Sequence, residues 1–443
     1  NRLGFQTGEK SPVILFHTLC PPGSSSWENQ PGGVLPYEPR GRPNPPPFVS
    51  AIAVSTDGGM TFEKHTDALF EPEFSYDRDP HGFWHEPSQS WVILWHVAGR
   101  ENKNIPGQTC FAVYVSKDFK NWRLTQKLYS LWEEPNLLTM YLDGDKNKPR
   151  LVMIEGKGNY AICTFDGEHF TFDPKAVYPN DEIYKRELGE KKPAAPEAAG
   201  YQPDAELTQG GRAAAQGSQV QEIKIDNVSD FFYPQSYGEY YATGTFTNAP
   251  DGRTVEIAWC ATSKAIWRDI FIGMPFMHQM TIPMELSLKT TPEGVRLFHW
   301  PVKELEGLRG EKISVKGKAL KPGSPLELKS PSELLDCRAV VQIGDAQEIL
   351  ITVNGQRIVW SRADNMFLYT HPLRTVRVPA PFVKDEIDLR ILVDKTLFEA
   401  FFHDGIRHLH HHFFVNEIPR SIKVEARGGK ARLKLLEAWA INP

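Results

Sequence analysis

Three stretches of the sequence share one grammar: FVSAIAVSTDGGMTF (48–62), CFAVYVSKDFKNW (110–122) and NYAICTFDGEHF (159–170). Each opens with small and large apolar residues in alternation and reaches a Ser or Thr. An Asp follows two positions later, and an aromatic residue four or five positions after that. Alternation is the period of a β-strand. The Asp suits a tight turn, because its carboxylate accepts from backbone N–H groups, and the aromatic can begin the next strand. The copies lie about 50 to 60 residues apart, room for four short strands each, which is the pattern of propeller blades. Three unrelated hairpins in some other β protein are the alternative.

After about residue 302 the texture changes. AVVQIGDAQEILITVNGQRIVWS (339–361), EIDLRILVDKTLFEAFFHDG (386–405) and SIKVEARGGKARLKLLEAWAI (421–441) alternate apolar and polar residues between Asn-Gly, Asp-Gly and Gly-Gly turns. That pattern predicts a β-sandwich, two sheets with one wet face each. Helix signals are few, so the fold expected is all-β: a propeller domain over 1–300, then a sandwich domain over 302–443. Residues 186–222, rich in Ala, Gly, Pro and Gln with one aromatic, interrupt the pattern. They bury too little apolar area to offset their ordering entropy and read as a disordered insertion.

Composition narrows the function. A net charge of -5 gives no electrostatic reason to expect nucleic acid or an anionic membrane surface as partner. No apolar run approaches the roughly 18 residues of a membrane span. The five cysteines are scattered without a Cys-x-x-Cys pair, against both a zinc site and a disulfide framework. Aromatics at 11% offer surfaces that stack on sugar rings. The chain starts at Asn1 with no signal-peptide pattern, and by Pro12–Phe16 it is already in an apolar run, so it reads as processed or as opening inside a fold.

Three segments are candidates for chemistry. In SLWEEPNLLTM (130–140) two acids, Glu133 and Glu134, stand between apolar flanks that resemble a buried strand. On a strand they point to opposite faces, so they are not a catalytic pair with each other. A partner carboxylate for glycosidic chemistry must come from another strand, roughly 5 Å away for retention or 6.5–9.5 Å for inversion. A hydrogen-bonded core acid is the plainer reading. In FSYDRDPHGFWHEPSQSWVIL (74–94), Arg78 and Asp79 at a strand mouth offer a bidentate donor and an acceptor to sugar hydroxyls, or else form a local ion pair. In HLHHHFF (408–414), alternation puts His408, His410 and His412 on one face with His411 opposed. With no fixed carboxylate partner in view, a solvated or aromatic-packed face is favoured over a metal site.

Together these stretches resemble glycoside hydrolase family 32, the invertase, inulinase and levanase group. YDRDPHGFWHEPSQSWVIL is similar to that family's Arg-Asp-Pro segment, and WEEPNLL to its Trp-Glu-Cys-Pro-Asp segment. YYATGTFTNAPDGRTVEIAW and GMPFMHQMTIPMELSL resemble its later blades, and LRILVDKTLFEAFFHDG its sandwich. The resemblance implies a five-bladed propeller, its first blade incomplete here, with a C-terminal β-sandwich and a retaining mechanism on β-fructofuranosides such as sucrose, inulin or levan. By position, Glu133 matches the general acid/base, and burial beside Trp132 and Leu137 would raise its pKa. Asp79 matches the residue that stabilises the transition state through sugar hydroxyls. Arg78, Trp132 and Trp267 are the substrate-binding candidates.

Two departures stand out. Glu134 occupies the position of the motif's Cys, and Asn136 that of its Asp. The family's nucleophile segment, Trp-x-Asn-Asp-Pro-Asn-Gly, has no counterpart among the 443 residues. The expectation is therefore a fructosidase without its N-terminal portion, inactive as it stands because no fructosyl-enzyme bond can form. A non-catalytic fructan-binding propeller is the alternative, and an arabinoside-acting propeller hydrolase a more distant one. No cofactor or metal is expected, oligomeric state is open, and fructans outside the cell favour a secreted or periplasmic protein.

Overall fold

The computed structural model describes residues 13–19, 49–65, 69–70, 77–97, 109–173, 223–228, 231–246, 249, 251–260, 279–371, 374–413 and 418–442. The expected disordered insertion at 186–222 and the candidate Trp267 lie outside them. Among the described residues the regular structure is almost all strand, with short 3₁₀ turns at Lys303–Leu308 and His403–Gly405. Among the described residues no helix is long and apolar enough to cross a membrane.

Four sheets come first. One has the order Val13–Leu19, Val49–Ser55, Glu63–His65. The next runs Arg78–His85, Ser90–Val97, Cys110–Ser116 and Arg123–Tyr129, with Lys224–Asn227 added in parallel beyond the last. A third runs Asn136–Tyr141, Pro149–Ile154, Tyr160–Phe165 and Phe170–Phe172. The fourth runs Tyr240–Phe246, Thr254–Cys260, Met284–Thr291 and Gly294–Pro301. Apart from Lys224–Asn227, each is a meander in which strands close in sequence pair.

The repeated grammar works as its chemistry predicts. Asp57 accepts from the N–H groups of Met60 and Thr61 at 2.9 and 3.0 Å. Asp118 accepts from Lys120 and Asn121 at 2.9 and 2.8 Å. Asp166 accepts from Glu168 and His169 at 2.8 and 2.7 Å. Hydrogen bonds to the ionised form hold all three carboxyls below their usual range. Phe62, Trp122 and Phe170 then stand directly before or at the start of the following strand.

Two further sheets form the C-terminal sandwich. One orders Arg407–His412, Leu397–Phe402, Glu386–Val393, Leu335–Gln342, Ala431–Ile441 and Arg309–Leu320, with Ser236–Gly238 joining its edge in parallel. The other orders Leu326–Lys329, Ser421–Arg427, Glu348–Val353, Gln356–Ser361, Met366–His371 and Arg374–Pro379. Alternation is clean where one face is wet: in Ser421–Arg427 the buried residues are Ile422, Val424 and Ala426. Asn354 and Gly355, at φ 46° and 82°, make the two-residue turn that Asn-Gly specifies, because both central positions need positive φ. The fold class is thus the expected one, all-β with propeller sheets before a sandwich.

Contacts divide the chain into two compact units. The first contains Asn1–Leu131, Asp166–Phe170 and Pro179–Ser229; the second contains Trp132–Phe165, Thr171–Tyr178 and Asp230–Pro443. In the first, Ile93, Trp95, Cys110, Ala112 and Tyr114 form a core against Phe16, Phe70 and Trp122. In the second, Tyr240, Ala258 and Met284 of the fourth sheet pack with Leu392 and Phe401 of the sandwich.

The HLHHHFF run departs from the solvated reading. It is strand Arg407–His412, as alternation required, but all four of its histidines are fully buried. Their rings are tolerated because each has a polar partner. His408 meets His410 at 2.6 Å and Ser236 Oγ at 3.0 Å, and His410 meets Glu399 at 2.7 Å. His412 meets Glu239 at 2.8 Å, and on the opposite face His411 packs against the rings of Tyr369 and His371. The carboxylate partners are Glu399, on the neighbouring strand, and Glu239, far away in sequence. That is why neither was visible beside the run. Among the described residues no group of three or more His, Cys, Asp or Glu is arranged to hold a metal.

Candidate active site

Arg78 and Asp79 belong to the first unit. They open strand Arg78–His85, whose register against Ser90–Val97 shifts between Arg78 and His81. The irregularity coincides with Pro80, which has no N–H to give to a ladder, and a bulge of this kind re-aims a side chain. Asp79 takes φ 56°, a left-handed conformation that Asp tolerates better than most residues. Its N–H donates to Thr18 Oγ at 3.2 Å, and its carboxylate lies 3.4 Å from Arg78 Nε. The local ion pair therefore exists, and both side chains keep about a fifth of their surface exposed.

Glu133 and Trp132 belong to the second unit. The apolar flank predicted a strand through the Glu-Glu pair; the strand instead begins at Asn136, after Pro135. Residues 131–135 are irregular, and Glu134 has φ 61°. The reason is local: Pro135 lacks the N–H a strand would need. Strand alternation therefore does not set the directions of the two acids. Nor does the expected burial hold in full. Leu131, Leu138 and Met140 are buried, but Glu133 is half-buried and Trp132 is 43% exposed.

Backbone hydrogen bonds fix this segment. Gly156 N–H donates to the Glu133 carbonyl at 2.7 Å, and the Gly156 carbonyl accepts from Ala242 N–H at 2.7 Å. A Cβ at Gly156 would lie 2.7 Å from the Glu133 carbonyl oxygen, so only glycine permits this approach. Ala242, at φ 50°, sits where the register between Tyr240–Phe246 and Thr254–Cys260 shifts. That second bulge presents Tyr241 to the Glu133 segment. The Tyr241 hydroxyl donates to Glu133 Oε1 and accepts from the Trp132 indole N–H at 2.5 Å. Lys157 Nζ stands 4.3 Å from the centre of the Trp132 ring. Asn136, where the family motif has Asp, donates to the carbonyls of Glu134 and Thr243 at 3.2 and 3.0 Å. It therefore acts as a brace between strands.

Tyr241 and Glu155 are what the sequence reading missed. Tyr241 lies within YYATGTF, a stretch that entered the sequence reading only through its resemblance to the family's later blades. Glu155 follows the apolar run LVMI and is 3% exposed, its Oε1 accepting from Asn159 N–H and Nδ2 at 3.2 and 2.6 Å. Burial raises its pKa to about 7, against smaller opposing effects of Lys157 and the Asn159 hydrogen bonds. An acid directly after an apolar run and before Gly-x-Gly was the one available signal.

The family description Glycosyl hydrolases family 32 N-terminal domain matches residues 45–189. That stretch contains both the Arg-Asp-Pro and the Trp-Glu segments. Over these residues the chain resembles glycosyl hydrolase family 32. The levanase of Bacillus subtilis (strain 168) is 23% identical over 488 residues, covering 100% of this chain and 60% of that protein. The levanase of Bacillus sp. (strain L7) is 24% identical, covering 88% of this chain and 41% of that protein. The chain thus spans about 60% of the first levanase's length and less of the second's. Among solved structures, the exo-inulinase of Aspergillus awamori superposes with a TM-score of 0.68 at 18% identity, covering 100% of this chain and 81% of that one. The fructofuranosidase of Schwanniomyces occidentalis, complexed with fructosylnystose, gives a TM-score of 0.62 at 17% identity, covering 90% and 77%. These likenesses carry the all-β propeller-and-sandwich fold.

Proposed function

We propose that this protein is a family 32 glycosidase that removes terminal β-fructofuranosyl residues from sucrose or fructans by a retaining mechanism. Glu133 is the general acid/base: it protonates the leaving oxygen and then activates the water that releases fructose. Asp79 stabilises the transition state by accepting from sugar hydroxyls, with Arg78 donating beside it. Trp132 supplies a face on which a sugar ring stacks, and Trp267 is a further substrate-binding candidate. We assign the propeller domain to residues 1–300 and the sandwich domain to residues 302–443.

The observation that carries this reading is the placement of Glu133: half-buried, fixed by Gly156 through its backbone and by Tyr241 through its side chain, beside an exposed tryptophan. That arrangement gives a sugar a stacking surface next to a positioned carboxyl. Carbohydrate as the ligand class is supported by the similar solved structures, one of which is a fructofuranosidase complexed with fructosylnystose. The covalent step needs a nucleophile carboxylate, and no Trp-x-Asn-Asp-Pro-Asn-Gly segment occurs in these 443 residues. We therefore assign that role to none of them and expect no turnover from this stretch alone. The same observation favours the second reading, a fructan-binding propeller without turnover.

A panel of sucrose, inulin, levan and arabinan offered to the natural full-length protein tests both. Fructose from at least one of the first three, and no arabinose, is the expected result. Fructan binding with no product from any of the four overturns catalysis in favour of the binder.

A further inference from the structure

The hydrogen-bond chain at Glu133 has a direction. An indole N–H only donates, so the Trp132 Nε1–H placed 2.5 Å from Tyr241 makes the phenolic oxygen an acceptor. The one proton on that oxygen is then directed away from Trp132, and the structure aims it at Glu133 Oε1. We infer that Tyr241 is a positioning residue for the acid/base: held by Trp132, it donates to Glu133 Oε1 and so assigns the catalytic proton to Oε2. This rests on Glu133 acting as the acid/base.

The physical content is specific. While the Tyr241 proton points at Oε1, that oxygen stays an acceptor whether or not the carboxyl is ionised. In the general-acid state the O–H is therefore on Oε2, and the same atom takes the proton back from water in the second step. The carboxyl cannot rotate freely between two equivalent oxygens, which removes unproductive orientations. A donated hydrogen bond also favours the charged over the neutral carboxyl. Among the described residues, charged groups on this stretch include Lys157 above the Trp132 ring, Glu134 next in sequence, and Glu155, which flanks the Gly156 brace.

The packing explains why tyrosine can hold this place. Its ring lies 6.0 Å from the Trp259 ring, tilted by 71°. Its backbone sits next to Ala242, which is anchored on Gly156. Phenylalanine keeps the ring and its contact with Trp259, and loses only the hydroxyl.

The test uses the natural full-length protein and two readouts. The first is fructose release from levan across pH. Tyr241→Phe is expected to lower kcat by about ten-fold or more with KM changed by less than three-fold, and to move the basic limb of the profile to higher pH. The second is 19F resonance of protein labelled with 5-fluorotryptophan, the Trp132 signal being assigned by its loss in Trp132→Phe. That signal is expected to shift with pH in the native protein, and to lose this titration in both Tyr241→Phe and Glu133→Gln. A Trp132 signal that is identical in native protein and Tyr241→Phe overturns the inference. So does a Tyr241→Phe enzyme with native kcat and pH profile. If Glu133→Gln leaves fructose release intact, the acid/base reading itself has failed. If only Tyr241→Phe is silent, that reading stands and this inference alone falls.

Discussion

Replacing Glu155 by Gln probes the support beneath the site, and its effect has a sign fixed by pH. Glu155 is 3% exposed; its Oε1 is held by Asn159, and its Oε2 is buried with no hydrogen-bond partner among the described residues. Burial lifts its pKa from 4.5 to about 7. Between those values the folded protein holds a proton that the unfolded chain has released, so stability falls as pH rises through this window. Each pKa unit corresponds to about 1.4 kcal/mol, so the full loss above pH 7 is about 3 kcal/mol. Gln keeps an oxygen acceptor for Asn159 and carries no charge at any pH. At pH 5 the native protein and Glu155→Gln should therefore melt close together. By pH 8.5 the variant should melt higher by roughly 6–12 °C, on the scale of a few degrees per kcal/mol for a unit of this size. Thermal unfolding of both proteins in half-unit steps from pH 5 to pH 8.5 measures this difference. A constant offset between the two curves would refute the reasoning, because a neutral or well-solvated Glu155 would not create a pH-dependent gap.

Two more predictions concern the sandwich and the Arg78–Asp79 pair. Asp336 is fully buried and accepts from Arg390 Nε and Nη2 at 3.0 and 2.9 Å and from Arg309 Nε at 2.8 Å. Asp336→Ala strands the buried Arg390 and should cost about 3–5 kcal/mol in denaturant unfolding; a change below about 1 kcal/mol contradicts this account of the network. Asp79→Asn keeps the size and tolerance for φ 56° but removes the charge. In the full-length protein it should lower kcat/KM for levan by about 10²-fold or more with unchanged melting temperature, and an unimpaired variant removes Asp79 from the site.

Much of the fold was legible because it rests on local chemistry. The Asp of each repeat specifies a turn through its own backbone neighbours, and Asn354-Gly355 specifies a hairpin through its φ values, so neither needs a distant partner. The alternation of Ser421–Arg427 likewise reports a face directly. The failures share the opposite cause. Around Glu133 the apolar composition predicted a strand, but Pro135 and the Gly156 contact impose an irregular segment. The burial of His408, His410 and His412 depends on Glu399, Ser236 and Glu239, which reach them only through sheet pairing. The chain order of the motifs pointed to Glu133 and Asp79. Tyr241 was invisible because it meets Glu133 across 108 positions of sequence, through a bulge that no local pattern announces.

The acid/base assignment is tested most directly by the initial rate of fructose release from levan by the natural full-length protein and its Glu133→Gln variant, compared at the native pH optimum. If Glu133 delivers and recovers the proton, the variant should lose at least about 10²-fold in kcat while still binding levan. A variant that releases fructose at the native rate would contradict the account at its centre.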